Sequence, residues 1–371
     1  IKGVNRHQDR PDKGWAISSA DHREDMSLIK EIGANGIRLA HYPHSDEFYT
    51  LCDREGMLVW AEIPLVGKAL DTPEFTENMK TELTELIRQN FNHPSIFCWS
   101  LCNELSKGDV KGLISELNDV SHREDPGRLT VLAANVEKRP ENAVPDIMAF
   151  NTYPGWYWAE PSEMKSTLER WNRQCGNKGI AVSEYGAGAN VWHHWQTGKK
   201  TPKVDGVFHP EEWQATVHEQ TYDAIKRSGF AWGSFVWNMF DFASASRNEG
   251  DMPGMNDKGL VSYDRKIRKD AFYFYQSEWS EEPVVHIASR RDVARRDSLT
   301  DVKVYTNCET VRLKVNGKDC GSPERNGSIC IWRKVGLKHG ENQVLSGSGA
   351  DRSFQTVVNG CSSEWDEAFG R

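Results

Sequence analysis

Eight short apolar segments recur along the first 280 residues of this chain, and amphipathic stretches separate nearly all of them. Helix signals fall between the segments: Thr72-Pro73-Glu74, for example, has proline at the first helical position. Strands that alternate with helices form a parallel sheet, and eight strands close a (β/α)8 barrel. We therefore predict an α/β fold with a (β/α)8 TIM barrel over residues 1–280. The apolar segments lie at 3–5, 37–42, 57–63, 96–101, 129–133, 147–151, 180–183 and 230–237.

The main alternative for this pattern is an open, doubly wound parallel sheet. Such a sheet normally carries a glycine-rich phosphate-binding loop directly after its first strand. The corresponding tract here, KGVNRHQDRP at residues 2–11, has no such loop. The closed barrel is therefore the favoured fold.

The pattern changes at Glu281-Glu282-Pro283, after which short runs of alternating apolar and polar residues follow one another. Asn316-Gly317 is a strong hairpin turn between two of these runs. We predict a small all-β domain of sandwich type over residues 284–350. Residues 351–371 are expected to be a tail or the start of a further, truncated segment.

The charge balance excludes one class of function. The chain has 46 Lys and Arg against 54 Asp and Glu, a net charge of −8, whereas a nucleic-acid surface needs a basic stripe.

No apolar run reaches the length of a membrane span, so no membrane span is predicted. The sequence opens at Ile1 in a strand-like segment, so we expect an N-terminal part to be missing and assign no compartment. The sequence leaves open whether the chain forms a homo-oligomer.

Two glutamates follow apolar strands in the fourth and seventh places. They are Glu104 in WSLCNE and Glu184 in AVSEYG. The carboxyl ends of barrel strands surround the active site, and a pair of carboxylates there is what glycoside hydrolysis needs. One carboxyl group must stay protonated to supply a proton, while the other must stay ionised to attack carbon. Capping of a helix or pairing with an arginine explains either residue alone, but the two together favour catalysis.

The same motifs resemble the acid/base and nucleophile motifs of the glycoside hydrolase clan with a (β/α)8 barrel. KGVNRH, IRLAHYP and IRKDAFYFYQSEWS are similar to glycoside hydrolase family 2, which includes β-galactosidases, β-glucuronidases and β-mannosidases. NCETVRLKVNGK resembles the immunoglobulin-like domain that follows the barrel in many bacterial members. The resemblance implies a retaining, exo-acting β-glycoside hydrolase that forms a covalent glycosyl-enzyme. Glu104 would be its acid/base and Glu184 its nucleophile.

The resemblance also implies roles for neighbouring residues. Asn103 matches the asparagine that binds the sugar 2-hydroxyl, and Tyr153 matches the tyrosine hydrogen-bonded to the nucleophile. The alternative for Tyr153 is an aromatic residue at the rim. Trp237 resembles the sugar-stacking platform of the clan, and we assign His7 to a sugar contact.

Arg38 and His41 in IRLAHYP lie at the end of the second strand. We expect Arg38 to keep Glu184 ionised by charge pairing and His41 to bind a sugar hydroxyl. The alternative is a structural ion pair with Glu62 or Asp46.

The tract NDKG at residues 256–259 bears on which sugar is bound. β-Glucuronidases use an Asn-x-Lys pair after the eighth strand to hold the sugar carboxylate, and Asn256 and Lys258 fit that spacing. NDKGLVSYDRK, and SEYGAGA with its downstream His193-His194, resemble bacterial β-galactosidases more. The sequence thus favours a β-galactosidase, with a β-glucuronidase as the alternative. A catalytically silent carbohydrate-binding barrel is the alternative from another class.

No metal and no cofactor are predicted. The eight cysteines show no Cys-x-x-Cys or Cys/His ligand spacing, and adjacent histidines such as His193-His194 do not easily face one metal. The tract around 62–67 does not match the magnesium-binding stretch of the large β-galactosidases. The expected partner is a β-linked oligosaccharide or glycoside.

Overall fold

The first part of the chain folds into the predicted closed barrel of eight parallel strands. The computed structural model describes residues 1–105, 110–135, 139–195, 201–348 and 352–360. Each barrel strand pairs with the next along the chain, and the last pairs with the first. The strands are β1 Lys2–Arg6, β2 Gly36–Leu39, β3 Leu58–Glu62, β4 Ile96–Asn103, β5 Leu129–Ala134, β6 Ile147–Asn151, β7 Ile180–Tyr185 and β8 Ala231–Val236.

Helices alternate with these strands and begin and end at local signals. The Thr72 side chain accepts a hydrogen bond from the Phe75 amide at the start of α3, and Gly56 ends α2 in the left-handed conformation. In its described residues, the link from β5 to β6 has only a short 3-10 turn, Pro140–Ala143. The helices are α1 Ser19–Glu31, α2 Asp46–Glu55, α3 Pro73–Asn90, α4 Lys111–Glu124, α5 Met164–Gln174, α6 Glu211–Arg227 and α7 Asp270–Trp279.

Large side chains fill the barrel interior. Trp60 and Phe235 are fully buried there, with small residues such as Ala149 and Ala181 beside them. A Cβ atom at Gly3 would lie 2.3 Å from the Phe235 ring. Glycine is therefore the residue that lets β1 pass this ring, and the packed interior leaves the strand ends to form a site.

The carboxyl ends of the strands carry the polar residues. β4 continues two residues beyond Leu101, where the sequence predicted its end, so Asn103 lies within the strand and Glu104 follows it. β7 includes Glu184, and β6 ends at Asn151. Parallel pairing brings these ends to one side of the barrel.

A two-stranded antiparallel hairpin follows β8 in the sequence. β9 Phe242–Glu249 pairs with β10 Met252–Asn256, and Asn256 lies opposite Phe242. The Asn238 amide donates to the Lys258 carbonyl, and the Leu260 amide donates to the Asn238 carbonyl, so the segment after the hairpin is tied to the residues that follow β8. The hairpin therefore stands beside the barrel mouth.

Two four-stranded antiparallel sheets make up the all-β part, as predicted. Val304 and Trp332 of one sheet and Leu313 of the other share an apolar core. The sequence predicted a tail or a further segment from residue 351, but residues 352–360 pair along β17; residues 361–371 lie outside the described residues. The strands are β11 Val285–Ile287, β12 Leu299–Thr306, β13 Arg312–Val315, β14 Lys318–Asp319, β15 Glu324–Asn326, β16 Ile329–Gly336, β17 Gly340–Ser348 and β18 Arg352–Gly360.

Candidate active site

Glu184 is buried at the end of β7, and each of its carboxylate oxygens has a strong donor. Arg38 Nη1 donates to Oε1 at 2.6 Å, and the Tyr153 hydroxyl donates to Oε2 at 2.6 Å. Both carboxylate oxygens are thus occupied by donors, and the bond from the guanidinium is charge-assisted. Burial and the Glu184 charge raise the pKa of Tyr153 well above its usual value, so the phenol stays a donor.

Arg38 makes the contact with Glu184 that we expected and also the alternative ion pair with Glu62. Besides Glu184, its guanidinium holds both carboxylate oxygens of Glu62, with Nε to Oε2 at 3.0 Å and Nη2 to Oε1 at 3.1 Å. Burial would raise the pKa of Glu62, but the Arg38 charge and the His41 hydrogen bond outweigh it and lower that pKa. The site thus holds one fully buried arginine between two carboxylates.

His41 is oriented by Glu62 rather than by Asp46. Its Nδ1 lies 2.7 Å from Glu62 Oε1, and its Nε2 lies 3.8 Å from Glu184 Oε1. Asp46 contacts His93 instead, so that predicted alternative pairing does not form. The Nε2 edge of the His41 ring therefore lies beside the Glu184 carboxylate, and the binding of a sugar hydroxyl by His41 stays a prediction.

Glu104 has the environment of a carboxylic acid. Burial and the negative charge of Glu184 raise its pKa, and a hydrogen bond from Asn151 Nδ2 at 2.8 Å only partly opposes them. Its backbone is left-handed, with φ of 52°. That conformation costs a non-glycine residue on the order of 1–3 kcal/mol, and such strain is concentrated at functional sites.

A pair of asparagines links the two glutamates. Asn103 Oδ1 accepts from Arg38 Nη2 at 2.7 Å and from Asn151 Nδ2 at 3.0 Å. Because its oxygen is occupied, the amide NH2 of Asn103 is the group left to donate to a ligand. The Asn151 amide also donates to Glu104 Oε1, so it links Asn103 to Glu104.

Trp237 and His7 lie beside His41. The Trp237 ring stacks on the His41 ring at 5.0 Å between centroids, and His7 meets its edge at 5.3 Å. Burial, followed by nearby histidine and arginine charges, lowers the pKa of His7 well below its usual value, so this ring is neutral. One face of Trp237 is covered by His41, and sugar stacking on this residue stays a prediction.

Lys258 belongs to a second group of residues, and Asn256 lies beside it. We call this group the Lys258 cluster: Arg247, Glu249, Lys258, Trp156 and Tyr157. The Lys258 side chain is 1% exposed, and its Nζ has no hydrogen-bond acceptor among the described residues. It lies 3.6 Å from Glu249 Oε1 and over the rings of Trp156 and Tyr157. Asn256 Oδ1 accepts from the Lys258 amide at 3.1 Å.

The Lys258 cluster is connected to Glu184 through two tyrosines. The Tyr157 ring lies 5.1 Å from the ring of Tyr153, whose hydroxyl is bonded to Glu184. The structure therefore brings the predicted site residues together as two neighbouring groups at one barrel mouth. Their roles in catalysis and binding stay predictions.

The sequence did not single out three residues that organise the site. Asn151 stands in the FNTY tract at the end of β6, and Asn5 donates to the Ser183 carbonyl while accepting from Arg38. Glu62 was considered only as an alternative ion-pair partner. The place of Asn151 and Glu62 at strand ends is the signal that could have found them.

The part of the chain that the structure describes contains neither a metal-binding group of side chains nor a membrane-spanning helix. There, no three His, Cys, Asp or Glu side chains are grouped so that they could hold a metal ion. No helix in those ranges is long and apolar enough to cross a membrane.

Comparison with known proteins assigns the barrel to a family. Residues 1–281 match the TIM barrel domain of glycosyl hydrolases family 2. The chain belongs to glycosyl hydrolases family 2. Residues 297–347 match a domain of unknown function.

Three relatives illustrate the range of names in this family. A β-glucuronidase of Bacteroides fragilis is 43% identical over 93% of this chain and 51% of its own length. A crystal structure of an FMN-binding β-glucuronidase from Facaelibacterium prausnitzii L2-6 has 37% identity and a TM-score of 0.90, covering 96% of this chain and 55% of that one. A putative β-galactosidase from Bacteroides fragilis has 35% identity and a TM-score of 0.91, covering 96% and 54%.

This family 2 chain spans about half the length of those relatives. Two of the three are named β-glucuronidases, whereas the sequence motifs favoured a β-galactosidase. The names therefore support the alternative interpretation better than the first one.

Proposed function

We propose that this chain carries the catalytic centre of a retaining β-glucuronidase. The observation that carries the choice of sugar is the Lys258 ammonium, buried without a hydrogen-bond acceptor among the described residues and close to Tyr153 and Glu184. Glu249 lies 3.6 Å away without a hydrogen bond to it, and a buried ammonium costs several kcal/mol unless an anion both pairs and hydrogen-bonds with it. The carboxylate of a glucuronide supplies that anion, and Asn256 lies beside it as in an Asn-x-Lys pair.

In the first step, protonated Glu104 gives its proton to the glycosidic oxygen. Glu184 attacks the anomeric carbon, so the bond from that carbon to the aglycone breaks as a bond to a Glu184 oxygen forms. Tyr153 and Arg38 hold the Glu184 carboxylate in position before the reaction. Asn103 donates to the sugar 2-hydroxyl, a contact that strengthens in the transition state.

In the second step, Glu104 acts as a base. It takes a proton from water, the water oxygen attacks the anomeric carbon, and Glu184 leaves as a carboxylate. The sugar is released with its β configuration retained. Glu104 ends protonated, ready for another substrate.

A β-galactosidase is the second candidate, supported by the name of one solved relative. Its neutral substrate has no anion to pair with Lys258. A silent carbohydrate-binding barrel is less favoured, because both glutamates stand with the partners that acid and nucleophile need.

The test compares 4-nitrophenyl β-glucuronide and β-galactoside on the complete protein and on its Lys258→Met variant. We expect glucuronide hydrolysis in the wild type and a fall of ~10²–10³-fold in kcat/KM in the variant, because the substrate carboxylate loses its cation. Lys226→Met is the matched control, since Lys226 also lies over a tyrosine ring and pairs with a glutamate. Galactoside hydrolysis that exceeds glucuronide hydrolysis would contradict the choice of sugar, and no turnover of either would support the silent barrel.

A further inference from the structure

Two cations share one carboxylate in the Lys258 cluster. Glu249 Oε1 accepts from Arg247 Nη1 at 2.7 Å, and the same oxygen lies 3.6 Å from Lys258 Nζ. Arg247 Nη2 also donates to the Tyr157 hydroxyl at 3.2 Å. Glu249 is thus hydrogen-bonded to Arg247 and only within Coulombic range of Lys258.

This arrangement matters because Glu249 is a built-in competitor for Lys258. A carboxylate of the chain itself, held close to the ammonium, would pair with it more readily than a dissolved ligand could. A guanidinium hydrogen bond to a carboxylate is charge-assisted and directional, so Arg247 can hold Glu249 in place. The other nearby carboxylate, Asp257, is hydrogen-bonded to His209 Nδ1 at 2.6 Å.

We propose that Arg247 is a positioning residue that determines specificity for carboxylated sugars. It holds Glu249 back from Lys258 and so keeps the ammonium available to the carboxylate of the substrate. Through Tyr157 it also fixes the ring over which the ammonium lies. This inference rests on the proposed β-glucuronidase function.

The decisive experiment is a pair of variants of the complete protein, assayed with 4-nitrophenyl β-glucuronide. In Arg247→Met, Glu249 is released to pair with Lys258, and we expect KM to rise ~10-fold or more with kcat changed less than ~3-fold. Adding Glu249→Gln removes the competitor, and KM should return to within ~3-fold of the wild-type value. The inhibition constant of free glucuronate should follow KM in both variants.

Arg268→Met is the matched control. The Arg268 side chain is 28% exposed, against 29% for Arg247, and it also binds a glutamate, Glu31, away from the barrel mouth. Its KM should equal that of the wild type.

The outcomes separate this inference from the proposed function. Wild-type protein that hydrolyses no glucuronide would overturn the proposed function, and this inference with it. Normal glucuronide hydrolysis with an unchanged KM in Arg247→Met would overturn the inference alone. A double variant whose KM is as high as that of Arg247→Met would also overturn it. If Arg247 were merely structural, the effects of the two substitutions on KM would add instead of cancelling.

Discussion

The surroundings of Glu184 and of Lys258 differ in how completely the chain itself satisfies a buried charge. Both oxygens of the Glu184 carboxylate accept hydrogen bonds at 2.6 Å. Among the described residues, the Lys258 ammonium has no hydrogen-bond acceptor; it lies 3.6 Å from a Glu249 carboxylate oxygen and over two aromatic rings. Under the proposed function, the difference means that the surroundings of Glu184 are complete before substrate arrives, whereas the surroundings of Lys258 are completed by the substrate.

Such a division agrees with what each group must do. A nucleophile gains from preorganised donors, because their orientation then costs nothing at the moment of reaction. A cation that recognises a ligand is more selective when it lacks a hydrogen-bond acceptor in the free protein. A ligand that supplies the acceptor then binds more tightly than one that does not. Each prediction below tests one side of this comparison.

The largest effect is expected at Glu184, the proposed nucleophile. Glu184→Gln should lower kcat for an activated aryl glycoside by at least ~10⁴-fold, since no covalent intermediate can form. Glu104→Ala should spare the first step with that substrate and slow the second. Added azide should then rescue Glu104→Ala and yield a β-glycosyl azide, measured by NMR of the product.

The product stereochemistry decides the assignment of these two residues. A β-glycosyl azide formed by Glu184→Gln instead would mean that the roles of the two glutamates are reversed. Glu163→Gln is a control, since that residue lies in a turn on the chain before α5 rather than at a strand end. Its turnover should equal that of the wild type.

The next effect concerns the free energy of unfolding. Arg38→Met leaves Glu62 and Glu184 buried without their shared cation, and we expect a loss of about 3–5 kcal/mol. Lys258→Met removes a buried charge that lacks a hydrogen bond, and Glu249 keeps Arg247 as its partner. This variant should be as stable as the wild type or more stable, as measured by urea unfolding.

A large loss of stability in Lys258→Met would contradict the comparison, because it would mean that the chain already supplies the hydrogen bonds of the ammonium.

The effect of glucuronate on Tm tests the same comparison from the side of the ligand. Glucuronate should raise the Tm of the wild type and leave that of Lys258→Met unchanged, since a ligand stabilises only the protein that binds it.

The sequence predicted the barrel and both glutamates for a physical reason. Alternating strands and helices leave a strong pattern, and the residues that follow apolar strands meet at one end of a parallel barrel. Asn151 and Asn5 left no such pattern, because an amide in a buried strand looks like any polar residue until its partners are known. Arg38 and Glu184 stand 146 positions apart, a contact that only the closed barrel makes visible.

The choice of sugar was harder to predict than the reaction. The tracts around 184–194 and 256–266 resemble β-galactosidases, whereas the feature that favours a glucuronide is an unmet hydrogen bond. Whether Lys258 meets an acceptor depends on Glu249, which the hairpin holds at 3.6 Å and Arg247 holds closer to itself. Motif spacing carries no information about that distance.

The smallest effect, a change in the pH profile, comes from the unequal surroundings of the two glutamates. Burial and the charge of Glu184 raise the pKa of Glu104, so this acid stays protonated to a higher pH than an ordinary glutamate, whose pKa is about 4.3. Activity that needs the protonated form is therefore lost as pH rises through the raised pKa. We expect a bell-shaped profile of kcat/KM whose alkaline limb lies above the ordinary glutamate value. In Glu104→Ala, an activated aryl glycoside needs no acid, and the alkaline limb should disappear; a limb that survives unchanged would assign it to another group.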